Sequence, residues 1–126
     1  MTEVSWLAVI VATVLSFMLG GLWYSPRVFG ARWAEGCGVD LESEDAGKHA
    51  AKALSVQFVS TLLLAWLLGA MVDAGEWLMI AATVSVVAVI LISAGLFHRN
   101  SHFAAVIEGV FVVVMSAVMV VVHLVL

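Results

Sequence analysis

Residues 103–126 read FAAVIEGVFVVVMSAVMVVVHLVL. The run is almost wholly apolar and long enough to cross a bilayer, for which about 20 residues suffice. Glu108 interrupts it. A carboxylate in such a run costs roughly 2.5–3.5 kcal/mol at mid-membrane on insertion scales, and less toward the edge. An intramembrane ionisable group is a functional-site hypothesis by default, to be weighed against satisfaction by its neighbours.

Three more apolar runs of similar length precede it, at about residues 4–24, 53–72 and 77–97. The chain has 126 residues, 64% of them hydrophobic and 11% charged. Soluble domains carry about 45–50% apolar and about 25% charged residues. The runs are continuous, not alternating, which excludes a β-barrel signature. The expected fold is therefore an all-α membrane protein. It has four transmembrane helices, a short amphipathic interfacial helix after the first, and one domain over residues 1–126. The first run is read as a retained span: Met1-Thr2-Glu3 has no positive charge, and the run exceeds a signal peptide's 7–15-residue core.

The basic residues set the topology. Arg27, Arg32, Lys48 and Lys52 lie between the first and second runs, and Arg99 lies between the third and fourth. The positive-inside rule puts both loops in the cytoplasm and both termini outward. In the first loop, Ser25 and Pro26 suit an N-cap and first helical position. Phe29, Trp33 and Cys37 then recur at four-residue spacing, the apolar face of a helix lying on the inner membrane surface. Gly36 and Gly38 end it. Ser43, Glu44 and Asp45 read as the start of the second long helix, with Glu44 and Lys48 as an i,i+4 pair.

Trp6-Leu7-Ala8-Val9, then Leu19-Gly20-Gly21-Leu22-Trp23-Tyr24-Ser25-Pro26, then Phe29-Gly30 and Trp33 form a specific pattern. It resembles domain-of-unknown-function family 1761, whose members look like N-W-L-A followed by G-x-L-W-Y-S-P-x-x-F-G-x-x-W. Ser5 stands where the family often has Asn. Beyond Trp33 only the pattern of spans agrees. The resemblance implies a four-span fold and a bacterial origin, and hence the bacterial inner membrane. It implies no activity.

Depth suggests a site. Gln57 lies five residues past Lys52, and Glu108 six past His102. At 1.5 Å per residue, both sit about 7–9 Å inside the cytoplasmic edge. Ser16, Gly20 and Gly21 of the first span, and Ser93 of the third, reach the same level. The expected candidate pocket is Glu108 with Gln57, Ser60 and Ser93. Its mouth carries His49, Lys52, His98, Arg99 and His102. Two readings stand for Glu108. One is a protonatable site for a proton or small cation. The other is a structural carboxyl group, accepting from Gln57 or Ser93, pairing with Lys52 or Arg99, or staying protonated.

Ala8, Ala12, Ser16 and Gly20, each four apart, form a small-residue stripe suited to close helix packing, within the bundle or between subunits. Ala81, Ser85, Ala88 and Gly95 suggest a similar face on the third span. His98 and His102 have ligand spacing, but Asn100-Ser101 between them reads as a turn and N-cap, so no metal site is expected. Trp6, Trp23, Trp33 and Trp77 read as interfacial anchors, with Trp66 inside a span as the exception. His123 reads as an interfacial or C-terminal group near the outer end. The single Cys37 excludes an intrachain disulfide. The sequence has no Ser-His-Asp set in reach of one another, no paired intramembrane carboxylates and no nucleotide loop. The expectation is no enzyme, no cofactor and no nucleic-acid partner. Membrane lipid and a homo-oligomer are expected. The role is either a small transporter or channel-like protein using Glu108, or a non-catalytic scaffold or accessory subunit.

Overall fold

In a bilayer an isolated segment can satisfy its backbone N–H groups only with its own carbonyls, so continuous apolar runs become helices. The structure, a computed structural model, describes residues 4–25, 28–38 and 46–126, with the backbone alone for 46–50. Among these residues there are five α-helices and no strand. They are α1 Trp6–Trp23, α2 Gly30–Cys37, α3 Ala46–Ala74, α4 Trp77–Phe97 and α5 His102–Val125. Helices α1, α4, α5 and the Ala51–Ala74 part of α3 are each long and apolar enough to span a membrane. The widest difference from the sequence-derived spans is at α3, 53–72 against Ala51–Ala74.

Caps explain the boundaries. The Ser5 hydroxyl accepts from the Ala8 N–H at 3.2 Å, and the Ser101 hydroxyl from the Ala104 N–H at 3.1 Å. Each satisfies a donor that the first helical turn leaves open. Only Gly75 and Glu76 join α3 to α4. Gly75 takes φ 72°, so its N–H reaches the Val72 carbonyl at 3.1 Å and the Glu76 N–H reaches Met71 at 2.9 Å. That is the left-handed helix stop for which glycine is suited.

The fourth span is the centre of the bundle. All four other helices pack on α5. It buries residues around much of its circumference, among them Ala105, Ile107, Gly109, Phe111, Met115 and Met119. Small residues let the neighbours approach. A Cβ on Gly109 would lie 2.6 Å from Ile92 and 3.0 Å from the Ala88 carbonyl oxygen, and one on Gly95 would lie 2.9 Å from Ala105. Membrane helices associate through such contacts because lipid supplies no hydrophobic drive between them. On α1, Ala8, Ala12 and Ser16 are buried, and Gly20 lies under the Phe111 ring. Most other large apolar side chains face outward, Trp66 and Phe97 among them, as a lipid-facing surface requires.

Three local expectations change. Helix α2 runs from Gly30, after a turn in which the Ser25 carbonyl accepts from Val28 at 3.0 Å and Gly30 at 2.8 Å. On α4 the buried face is Ile80, Ala88 and Gly95, whereas Ala81 and Ser85 are exposed. His123 is half-buried, with a partner the sequence did not indicate. Its Nε2 lies 2.7 Å from the Ala65 carbonyl oxygen on α3, and its ring packs directly on Gly69. A carbonyl only accepts, so Nε2 carries the proton. The readings at Pro26, Arg27, Ser43, Glu44 and Asp45, and at the side chain of Lys48, fall outside the described residues.

Candidate functional site

The site is built where α2 folds back onto the start of α5. After α1 ends, the Phe29 N–H donates to the Trp23 carbonyl at 3.1 Å. Gly30 sits directly against the Tyr24 carbonyl, where any side chain would collide with backbone. This reversal turns α2 back against the bundle. At its other end α2 stops at Gly38, φ 71°. The Gly36 carbonyl accepts from the Ser101 N–H at 2.9 Å, and Gly36 lies flush against the Ser101 and Ala104 side chains. The helix is thereby fixed at both ends.

Fixed in this way, Trp33 reaches Glu108. The indole Nε1 donates to Oε1 of Glu108 at 2.9 Å. Both side chains are half-buried. Glu108 lies six residues into α5, about 9 Å along its axis. Hydrogen bonds to charged groups contribute about 1.5–3 kcal/mol in soluble proteins. Interhelical hydrogen bonds within membranes average nearer 0.6 kcal/mol, with a maximum of about 1.7. The Trp33–Glu108 bond joins two half-buried groups on different helices and belongs to this second class.

An aromatic wall surrounds the bond. Tyr24 packs edge-on against Trp33 at 5.2 Å and against Phe111 at 5.5 Å. Trp23 packs on Phe29 at 4.8 Å and on Phe111 at 5.8 Å. Such pairs contribute about 0.5–1.5 kcal/mol each beyond their buried area. The wall joins the end of α1, the whole of α2 and the first turns of α5. The electrostatics agree with this packing. Burial first, and then the Glu108 carboxylate, push the Tyr24 phenol and the Cys37 thiol above their ordinary ranges. Both groups are neutral neighbours of the carboxylate.

The polar layer expected from depth does not form one pocket. Gln57 is exposed, and its amide donates to Thr61 of its own helix at 3.2 Å. Ser60 is exposed and donates to the Gln57 carbonyl at 3.0 Å. Ser93 is exposed in an apolar hollow of about 420 Å³ with Val89, Ile92, Leu96 and Phe97. Glu108 is grouped instead with Trp33, Tyr24 and Cys37. The reason is α2: its indole supplies the donor, and the polar groups of α3 bond within their own turn.

The expected mouth is also divided. Lys52 is exposed on α3, and the His49 side chain lies outside the described residues. His98 is exposed, with Nδ1 2.8 Å from the Ala94 carbonyl oxygen. His102 is exposed as the first residue of α5. Arg99 lines a separate hollow with Arg32 and Glu35. Among the described residues no three His, Cys, Asp or Glu side chains gather where they could hold a metal.

Sequence reasoning missed the partner of Glu108. Trp33 reads as an interfacial anchor, yet it is the donor. The available signal was its place on the apolar face with Phe29 and Cys37. It also missed the His123 bond to Ala65, for which Gly69 one turn further along α3 makes room.

Fold and site together define a multi-pass α-helical membrane protein in which an interfacial helix covers an intramembrane carboxylate. The family model described as "protein of unknown function (DUF1761)" matches residues 7–124, and the chain belongs to that family. No curated protein and no solved structure matches it.

Proposed function

We propose that this protein is a non-catalytic membrane scaffold or accessory subunit in which Glu108 holds α2 against the bundle. The observation that carries this is the 2.9 Å bond from Trp33 Nε1 to Glu108 Oε1. A carboxylate that moves a proton or cation must exchange partners with solvent. Here one oxygen is engaged by an indole that donates only and does not titrate. Tyr24 packs edge-on against that indole and is itself backed by Phe111. In this reading the protein sits in a bacterial inner membrane with both termini outward and the arginine end in the cytoplasm. It acts as a homo-oligomer, its outward apolar faces meeting lipid or further subunits.

The test is Glu108→Gln in proteoliposomes under an imposed proton gradient. Glutamine keeps an acceptor for the indole and loses the charge. The scaffold reading expects no change in proton or cation flux and only a modest loss of thermal stability. Abolition of a flux present in the parent protein would establish the transport reading instead.

A further inference from the structure

Beside the clasp is a polar hollow that it does not use. Arg32, Glu35 and Gly36 of α2 line it together with Arg99, Ser101 and Phe103, around a volume of about 460 Å³. That is within the size range of small-molecule sites. Among the described residues, neither arginine nor Glu35 forms an ion pair. Arg32 is held by stacking, its guanidinium carbon 3.8 Å from the centre of the Phe103 ring. Stacking fixes the plane of a guanidinium and leaves its N–H edge for a ligand. The Ser101 oxygen accepts from Ala104, which leaves its own proton to donate.

Arg99 adds a separate observation. It occupies the left-handed stop of α4 at φ 60°. Its N–H reaches Leu96 at 3.0 Å, and the Asn100 N–H reaches Gly95 at 3.0 Å. The equivalent stop of α3 uses Gly75, and α2 stops on Gly38. Glycine takes this conformation without strain, and arginine does not. A residue held in a left-handed backbone conformation beside a hollow is a reason to look for a ligand. Leu96 and Phe97, just before the turn that carries Arg99, are exposed apolar residues.

We propose that this hollow binds a phosphate ester carrying a primary amine, as in the headgroup of an aminophospholipid. Arg32 and Arg99 take the phosphate and Glu35 takes the ammonium. Paired guanidiniums suit phosphate oxygens, and basic pockets at helix ends bind lipid headgroups. Glu35 sets the class. An anionic headgroup without an amine brings its carboxylate no cation, and a quaternary ammonium has no proton to donate to it. A phosphate and a primary amine together offer each of the three side chains a partner of opposite sign. The proposal does not depend on what Glu108 does.

The full chain, reconstituted in nanodiscs of equimolar phosphatidylethanolamine, phosphatidylcholine and phosphatidylglycerol, is released and its retained lipids are counted by native mass spectrometry. Phosphatidylethanolamine should be retained roughly five- to tenfold over the other two. Arg99→Gly should abolish that preference while thermal stability stays level or rises, because glycine relieves the left-handed position. Glu35→Gln should shift retention toward phosphatidylglycerol. Lys52→Gln makes the same charge change as Arg99→Gly on another helix and should leave the preference intact. Soluble O-phosphoethanolamine identifies the source: thermal protection by it without lipid retention assigns the same chemistry to a soluble ligand. Equal retention of the three lipids with no protection by O-phosphoethanolamine overturns the proposal. So does a preference for phosphatidylglycerol in the parent protein, a preference that survives Arg99→Gly, or one lost equally in Lys52→Gln.

Discussion

At the scale of the residue, the indole of Trp33 decides what Glu108 is. A carboxylate about 9 Å along the fourth span needs a partner, and the partner comes from outside the four spans. Trp33→Phe keeps most of the ring packing and removes the donor. It should lower unfolding stability in micelles by roughly 1–2 kcal/mol, the cost of one interhelical hydrogen bond to a carboxyl group. Cys37 reports the same carboxylate chemically. Burial and then Glu108 disfavour its thiolate, and the thiolate is the reactive form. Maleimide labelling near pH 8 should therefore be slower than for a free cysteine, and faster in Glu108→Gln, where one of the two causes is gone. An unchanged rate in Glu108→Gln would mean the charge does not reach the thiol. The sequence showed that Glu108 was out of place and how deep it lay. It did not show the donor, because a tryptophan on an amphipathic helix has the same spacing whether it anchors in lipid or turns inward.

At the scale of the element, α2 and α5 carry the arrangement. The sequence predicts an amphipathic helix from the spacing of Phe29, Trp33 and Cys37, and a helix is there. Its start was misplaced because Ser25-Pro26 has the composition of an N-cap, while the Ser25 carbonyl is used in a turn closed by Val28 and Gly30. Its docking was not legible, since it rests on a backbone contact between Gly36 and Ser101. Gly36→Val should pry α2 from α5, expose Trp33 and red-shift its fluorescence while the spans stay helical by circular dichroism. The centrality of α5 was likewise hidden: all four spans are apolar, and only the small residues at each crossing show who packs on whom. Gly109→Leu, forced against Ile92 and the Ala88 carbonyl, should cost about 1–3 kcal/mol as overpacking and loosen α4 in particular.

At the scale of the whole molecule, composition and run length were enough. Four continuous apolar runs gave four spans with ends close to those observed, because a bilayer leaves an isolated segment one way to satisfy its backbone. Sidedness is a separate expectation drawn from five basic residues gathered in two loops. Cys37, on the helix of the arginine end, should react with a membrane-impermeant maleimide from the cytoplasmic side of inverted vesicles and not from the outside of intact cells. Across the molecule, the account makes the intramembrane carboxylate a fastener for the interfacial helix. The direct test is a double-mutant cycle with Trp33→Phe and Glu108→Met, read as unfolding free energy in micelles. The account predicts a coupling of roughly 1–2 kcal/mol. Effects that add to within about 0.3–0.5 kcal/mol, as independent sites do, would contradict it.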